Sequence, residues 1–371
     1  MRHRIVIACA LGGIFAGSFL ACAQIIGADF DVSPCANDRC VETIAAGVDY
    51  PWDIAVDQEW IYWTVRTSGA CEQRAGKVMR RAKSGGDPVV FADGQGCPDR
   101  LALDASYVYW TNTMGLEQDG GPGGQVMRLR RDAVPGADLP EELARGQDLP
   151  IGLAVSPTHL YWGTVDSAIR VLALDAPAAG PQVLLDGGPT ARYDAGLKSP
   201  ALLAIDQRYV YVTEFEDDGG VWKVPMDAGR CCADGTPGCP DAGISCDFPL
   251  RIAVDQRTPN GIAVAPNIVF FANSVQGGSI LAVGVNGDSP PEELALNQSK
   301  PADLAVDGQH LYWANFGDGT IRRMALLYGQ PETVASDQNA PNGVAVDETY
   351  VYWTVYAADG AVRRAPKEPQ R

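Results

Sequence analysis

The chain has 371 residues and a formal net charge of -17, from 29 Lys+Arg against 46 Asp+Glu. That acidity excludes a nucleic-acid partner, since phosphate binding needs clustered basic side chains. The apolar content suits a packed protein rather than a disordered one, and the length fits two or three ordinary domains unless repeats share one core.

The N-terminus comes first. Arg2, His3 and Arg4 precede an apolar stretch from Ile5 to Leu20, and then Ala21-Cys22-Ala23. This pattern predicts an export signal over residues 1–21. Phe19-Leu20-Ala21-Cys22 resembles a bacterial lipobox, with an aromatic residue where an aliphatic one is usual. In that reading Cys22 is the lipidated first residue, and residues 22–40 form a tether at the cell envelope. Two acyl chains anchor firmly where one does not, and the membrane is then a partner only through that anchor. The alternative is cleavage at the A-x-A pattern, giving a soluble periplasmic or secreted protein that starts at Gln24.

Cysteine usage agrees with export. Apart from Cys9 and Cys22 there are eight: Cys35, Cys40, Cys71, Cys97, Cys231, Cys232, Cys239 and Cys246. An even number in an oxidising compartment predicts disulfides. Cys35 and Cys40 are close enough to pair locally. The last four share a Gly/Pro/Asp-rich insertion over residues 227–247, which predicts pairing among themselves. Zinc is the competing reading, but the insertion has no C-x-x-C spacing and no histidine.

From Pro51 the chain repeats. Copies open at Pro51, Pro98, Pro150, Pro200, Pro259, Pro301 and Pro341, at intervals of roughly 40–59 residues. Within the Pro301 copy, Leu304-Ala305-Val306 reads as a buried strand and Asp307-Gly308 as a turn. His310-Leu311-Tyr312-Trp313-Ala314 is a second strand, rich in residues that fit a pleated surface. Gly317-Asp318-Gly319 makes a hairpin turn. Thr320 to Met324 is a third strand whose arginines can face water, and Glu332-Thr333-Val334-Ala335 is a fourth. The second strand recurs as Tyr62-Trp63-Thr64, Tyr109-Trp110-Thr111, Tyr161-Trp162-Gly163, Tyr211-Val212-Thr213, Phe270-Phe271-Ala272 and Tyr352-Trp353-Thr354. One four-stranded meander cannot bury both of its faces, whereas a radial array lets each cover the next. The last copy lacks a fourth strand. Val41-Glu42-Thr43-Ile44-Ala45 nearly repeats Glu332-Thr333-Val334-Ala335, so residues 41–47 should supply it and close the ring. The expected fold is all-β, a seven-bladed β-propeller over residues 41–371.

The Tyr-Trp-Thr and Leu-Ala-Val-Asp strands resemble the YWTD and NHL families of β-propellers. The resemblance spans nearly all of the mature chain. It is specific for fold and weak for function, because those families run from receptor modules to enzymes. YWTD propellers usually have six blades, so seven departs from that pattern.

In such a blade, the turn between strands two and three opens on the same face as the link to the next blade. Cys71 and Cys97 lie in two such segments and should pair. Two long loops on this face, Arg66 to Gly76 and Thr113 to Gly124, are candidates for recognition. The channel mouth there is built from Trp52, Asp53, Asp99, Arg100, Asn260, Asp303 and Asn342. Such a ring could hold a hard cation such as calcium, the one cofactor the sequence suggests. The local reading, strand-end capping in contact with water, is favoured. Propeller lactonases hold a metal with Glu, Asn and Asp, and Asn112, Glu214, Asn273 and Asn315 occupy equivalent positions after the strand-two motif. Seven-bladed lyases, which the chain also resembles, depend on histidine. His159 and His310 both fall in turns on the opposite face, where a structural role is expected. The run from Glu214 to Gly220 reads as a solvated hairpin tip. The function expected is a monomeric cell-envelope binding or scaffolding module for a protein, peptide or glycan. A metal-dependent hydrolase using the mouth is the alternative.

Overall fold

The computed structural model describes residues 40–67, 75–114, 123–186, 196–226, 249–326 and 329–368. They form seven four-stranded antiparallel sheets, each a meander numbered outward from its innermost strand. The first blade holds Pro51–Val56, Trp60–Val65, Gly76–Ala82 and Val89–Gln95. The last holds Pro341–Val346, Tyr350–Val355 and Gly360–Pro366, and its outer strand is Glu42–Val48 from the other end of the chain. Ala45 sits opposite Val362, and Arg364 holds Glu42 at 2.7 Å. The chain is therefore a seven-bladed β-propeller closed by its N-terminal strand. The insertion over residues 227–247 joins two paired strands, Gly219–Pro225 and Leu250–Gln256, but itself lies outside the described residues.

The Tyr-Trp pairs explain how the blades stick together. Consecutive residues on a strand point to opposite faces. Tyr62 packs with Phe91, Leu101 and Trp110 toward the second blade, while Trp63 packs with Ile44, Ile54 and Tyr352 toward the last. Each dipeptide thus fills two junctions, and its rings are almost fully buried. Truncating one such ring would cost about 3–5 kcal/mol.

Three polar devices reinforce this packing. The Asp ending strand one accepts the backbone N–H groups two and three residues on. Asp347 takes them from Thr349 and Tyr350, and its other oxygen takes the Tyr352 hydroxyl at 2.7 Å. The Thr after Tyr-Trp clasps neighbouring blades. Thr354 Oγ1 accepts the Gly343 N–H and donates to the Trp52 carbonyl at 2.8 Å, and Thr64 does the same with Asp53 and Asp99. Lastly, a glutamine at or near the end of strand four locks onto the next blade. Gln95, Gln147, Gln298 and Gln338 accept the indole N–H groups of Trp110, Trp162, Trp313 and Trp353 at 2.8–3.0 Å.

Each strand one is entered under strain. The residue before its proline is left-handed in all seven copies: Tyr50, Cys97, Leu149, Ser199, Thr258, Lys300 and Ala340, with φ between 34° and 60°. Non-glycine residues rarely adopt this region. Two expectations fail here. Arg323, expected to face water, is only 6% exposed, because its guanidinium is drawn in by Glu332, Glu368 and the Lys367 carbonyl. Glu214 does not belong to a solvated tip. It lies within a strand, 1% exposed, and Arg251 holds it at 2.8 Å.

Candidate functional site

The mouth is the end of the channel where each strand one begins. Two residues past the proline, the strand bulges: Pro51 pairs with Val65 but Ile54 with Trp63. The residue at the centre of that bulge is Asp53, Arg100, Gly152, Leu202, Gly261, Asp303 or Gly343 in successive blades. Gly152 has φ +62°, and a Cβ there would collide with the Ala201 carbonyl of the next blade. Where the side chains are long and charged, they meet at the axis. Arg100 Nη1 lies 3.3 Å from Asp53 and 3.9 Å from Asp303. Asp303 belongs to the sixth blade and Arg100 to the second, so this guanidinium spans the ring.

Both carboxylates also tie blades through the backbone. Asp53 accepts the Leu101 N–H at 2.7 Å, and Asp303 accepts the Val344 N–H at 3.1 Å. Asp99 pairs with Arg66, whose guanidinium lies 3.8 Å from the Trp52 ring centroid. Asn342 donates to the Trp52 carbonyl at 2.9 Å. Six of the seven mouth candidates therefore form one network. Asn260 stands apart, its carbonyl accepting from Thr213 at 2.7 Å.

The expectation that these groups only cap strand ends in water is corrected by their burial. Asp53, Asp99, Arg100 and Asn342 are each at most 9% exposed. Burial pushes the Asp53 carboxyl up to about 7, with the Asp303 and Asp99 charges adding to the rise and Arg100 opposing it. Burial raises Asp303 as well, against the pull of Arg100. Burial works against the Arg100 charge, but Asp53, Asp99 and Asp303 outweigh it and hold that guanidinium above its usual range. Burial lowers Arg66, partly offset by Asp99.

An aromatic cluster, missed in the sequence, borders the network. The Tyr356 ring lies 5.1 Å from Tyr50, 5.0 Å from Trp52 and 6.4 Å from Phe316. All four rings are half-buried at the mouth. Arg66, Phe316 and Tyr356 hold one repeat position, the fourth residue after the strand-two Tyr, and Tyr50 holds the strained position before Pro51. That shared register was the available signal. Arg66 entered the sequence reading only as the start of a loop.

The four residues placed by analogy with a metal site sit in four different blades. Asn112, Asn273 and Asn315 donate to Gln95, Gln256 and Gln298 of the preceding blades at 3.0–3.2 Å. Glu214 accepts the Lys198 N–H and pairs with Arg251. No hydrogen bond joins these four among the described residues. His159 and His310 open their strand two at the end away from the mouth. Cys40 and Cys97 are disulfide-bonded. Cys35, Cys71 and the cysteines of the insertion lie outside the described residues, as do Cys22 and most of the two long loops.

Fold and site together define a β-propeller with a charged channel mouth and an aromatic rim. No family model matches the chain, and no curated protein matches it. Solved structures do. A catalytically inactive virginiamycin B lyase from Staphylococcus aureus, with quinupristin, aligns at TM-score 0.62 and 12% identity over 88% of this chain and 98% of that one. The WD40 β-propeller domain of Doa1 aligns at 0.58 and 13% over 88% and 97%. A chain of a nidogen/laminin complex aligns at 0.50 and 18% over 73% and 95%. At these identities the likeness carries the fold alone.

Proposed function

We propose that the protein is an exported binding module that holds a protein, peptide or glycan segment across the aromatic rim of its mouth. The observation that carries this reading is the Tyr356 cluster with Trp52, Tyr50, Phe316 and the adjacent Arg66. Half-buried Trp, Tyr and Arg on a rigid frame are the residues that dominate recognition surfaces. Loops 66–76 and 113–124 would extend the surface, with Cys71 pinned to Cys97. Cys22 would carry the lipid anchor, and the mass of the mature N-terminus tests that part. The binding test is a glycan and peptide array probed with wild type and with Trp52→Ala and Tyr356→Ala. Loss of captured ligands by tenfold or more, with the thermal transition retained, is expected. Capture unchanged in both variants would overturn the reading.

The second reading, a metal-dependent hydrolase, rests on the buried Asp53 and Asp303 carboxylates meeting at Arg100; among the described residues no three His, Cys, Asp or Glu side chains are grouped as a metal site. Also against it, Arg100 already stands as counter-ion to both carboxylates, and Arg66 to Asp99. A rise in thermal midpoint with calcium that is lost in Asp53→Asn would support this reading over the first.

A further inference from the structure

The glutamine lock is missing at two junctions: between the third and fourth blades, where the sequence has Gly188 for the glutamine and Val212 for the tryptophan, and where the ring closes, with the tryptophan still present. The outer strands read Val-Val-Phe-Ala-Asp-Gly-Gln95, Glu-Glu-Leu-Ala-Arg-Gly-Gln147 and Glu-Thr-Val-Ala-Ser-Asp-Gln338, but Glu-Thr-Ile-Ala-Ala-Gly-Val48. Val48 thus stands where five other blades have glutamine. Its blade-one counterpart, Trp63, is 0% exposed and its indole N–H has no hydrogen-bond partner among the described residues. An unsatisfied buried donor is costly, and five other junctions avoid one by a Gln bonded to Trp or Asn.

The same junction carries a cavity of about 440 Å³. Its two walls are Ile44 and Val48 on the closing strand and Trp63, Val65, Met79 and Lys77 on the first blade. Val65 pairs with Lys77 and Trp63 with Met79, so these four form one continuous face. The body of the cavity is apolar. Its polar side chains on the first blade are Lys77 and Thr67, and the Trp63 residue that shares this wall carries a buried, unpartnered indole N–H. Asp49, the one carboxylate lining it, is already engaged. The size is that of a small-molecule site, with an apolar body and few polar groups at one side.

We infer that this closing junction binds a small amphiphile, an aliphatic body with a carboxylate head set against Lys77. The aliphatic part lies between Ile44, Val65 and Met79. The head meets the ammonium, whose one acidic partner among the described residues is exposed Asp93 at 3.9 Å. The site shares no residue with the aromatic rim and does not depend on it.

Octanoate and octanol are the probes, titrated by calorimetry into the full mature protein. Saturable one-to-one binding of octanoate is expected, at least tenfold tighter than octanol. Lys77→Met should remove that preference. Val48→Gln should restore the lock, Oε1 accepting from Trp63 and Nε2 donating to the Ala46 carbonyl, as the other glutamines donate two residues back. That variant should weaken octanoate tenfold or more while its thermal midpoint rises, so a lost signal cannot be ascribed to unfolding. No saturable binding to wild type, or equal binding in Val48→Gln, would overturn the inference. Octanol binding as tightly as octanoate would overturn the carboxylate assignment.

Discussion

Single residues carry strain and charge that the repeat imposes on them. Ala340 has φ 52° immediately before Pro341. A left-handed L-residue costs roughly 1–2 kcal/mol, while glycine pays only about 0.5–1 kcal/mol in lost chain freedom. Ala340→Gly should therefore stabilise the protein by up to about 1 kcal/mol, against the usual sign of that substitution. Urea unfolding reads the difference, and a lower midpoint would contradict it. Asp53 makes a second case. Its pKa in the fold is about 7 against an ordinary 3.8, so its contribution is fully present below about pH 4 and is lost as pH rises through 7. Asp303 acts in the same direction. Asp53→Asn keeps an acceptor for the Leu101 N–H and removes the titration. The drop in unfolding midpoint between about pH 5 and about pH 8 should shrink in the variant, and an undiminished drop would count against the buried charge.

Individual strands were largely readable from the chain, and the reasons are local. Tyr-Trp-Thr, the Ala-Val-Asp turn and the opening proline each make their contacts within one blade or with the next one along. Even the closing strand was legible, because Glu42-Thr43-Ile44-Ala45 so closely repeats Glu332-Thr333-Val334-Ala335. Burial of the polar mouth was not. Asp53 and Asp99 look like ordinary turn residues until Arg100 reaches the sixth blade and Arg66 folds onto Trp52. The glutamine lock escaped for a similar reason. Its meaning requires knowing that strand four of one blade lies against strand two of the next. The element most open to test is Glu42–Val48. Removing residues 40–48 would expose the edge of Gly360–Pro366, strip the Arg364 ion pair and uncover Trp63 and Val362. Light scattering and circular dichroism should show an aggregating, partly unfolded product. A monodisperse protein with wild-type stability would show that closure contributes little.

For the molecule as a whole, the axis matters more than any one blade. Arg100 ties the first, second and sixth blades at one end of the channel, so the ring resists opening there and the rim above it is a fixed frame. Rigid placement lowers the entropy lost when a ligand is held by several aromatic anchors at once.

The ring's ends meet across a very long loop of chain. Glu42 and Arg364 are 322 residues apart. On the ribosome, at about 5–20 residues per second, the opening segment waits on the order of tens of seconds before its partner exists. Throughout that interval a nascent molecule carries an unmated β-segment, and a finished neighbour whose own first strand has not yet docked offers the complementary edge, Gly360–Pro366. Exchange of that segment between two molecules, each completing the other, is the misassembly to which this architecture is most exposed.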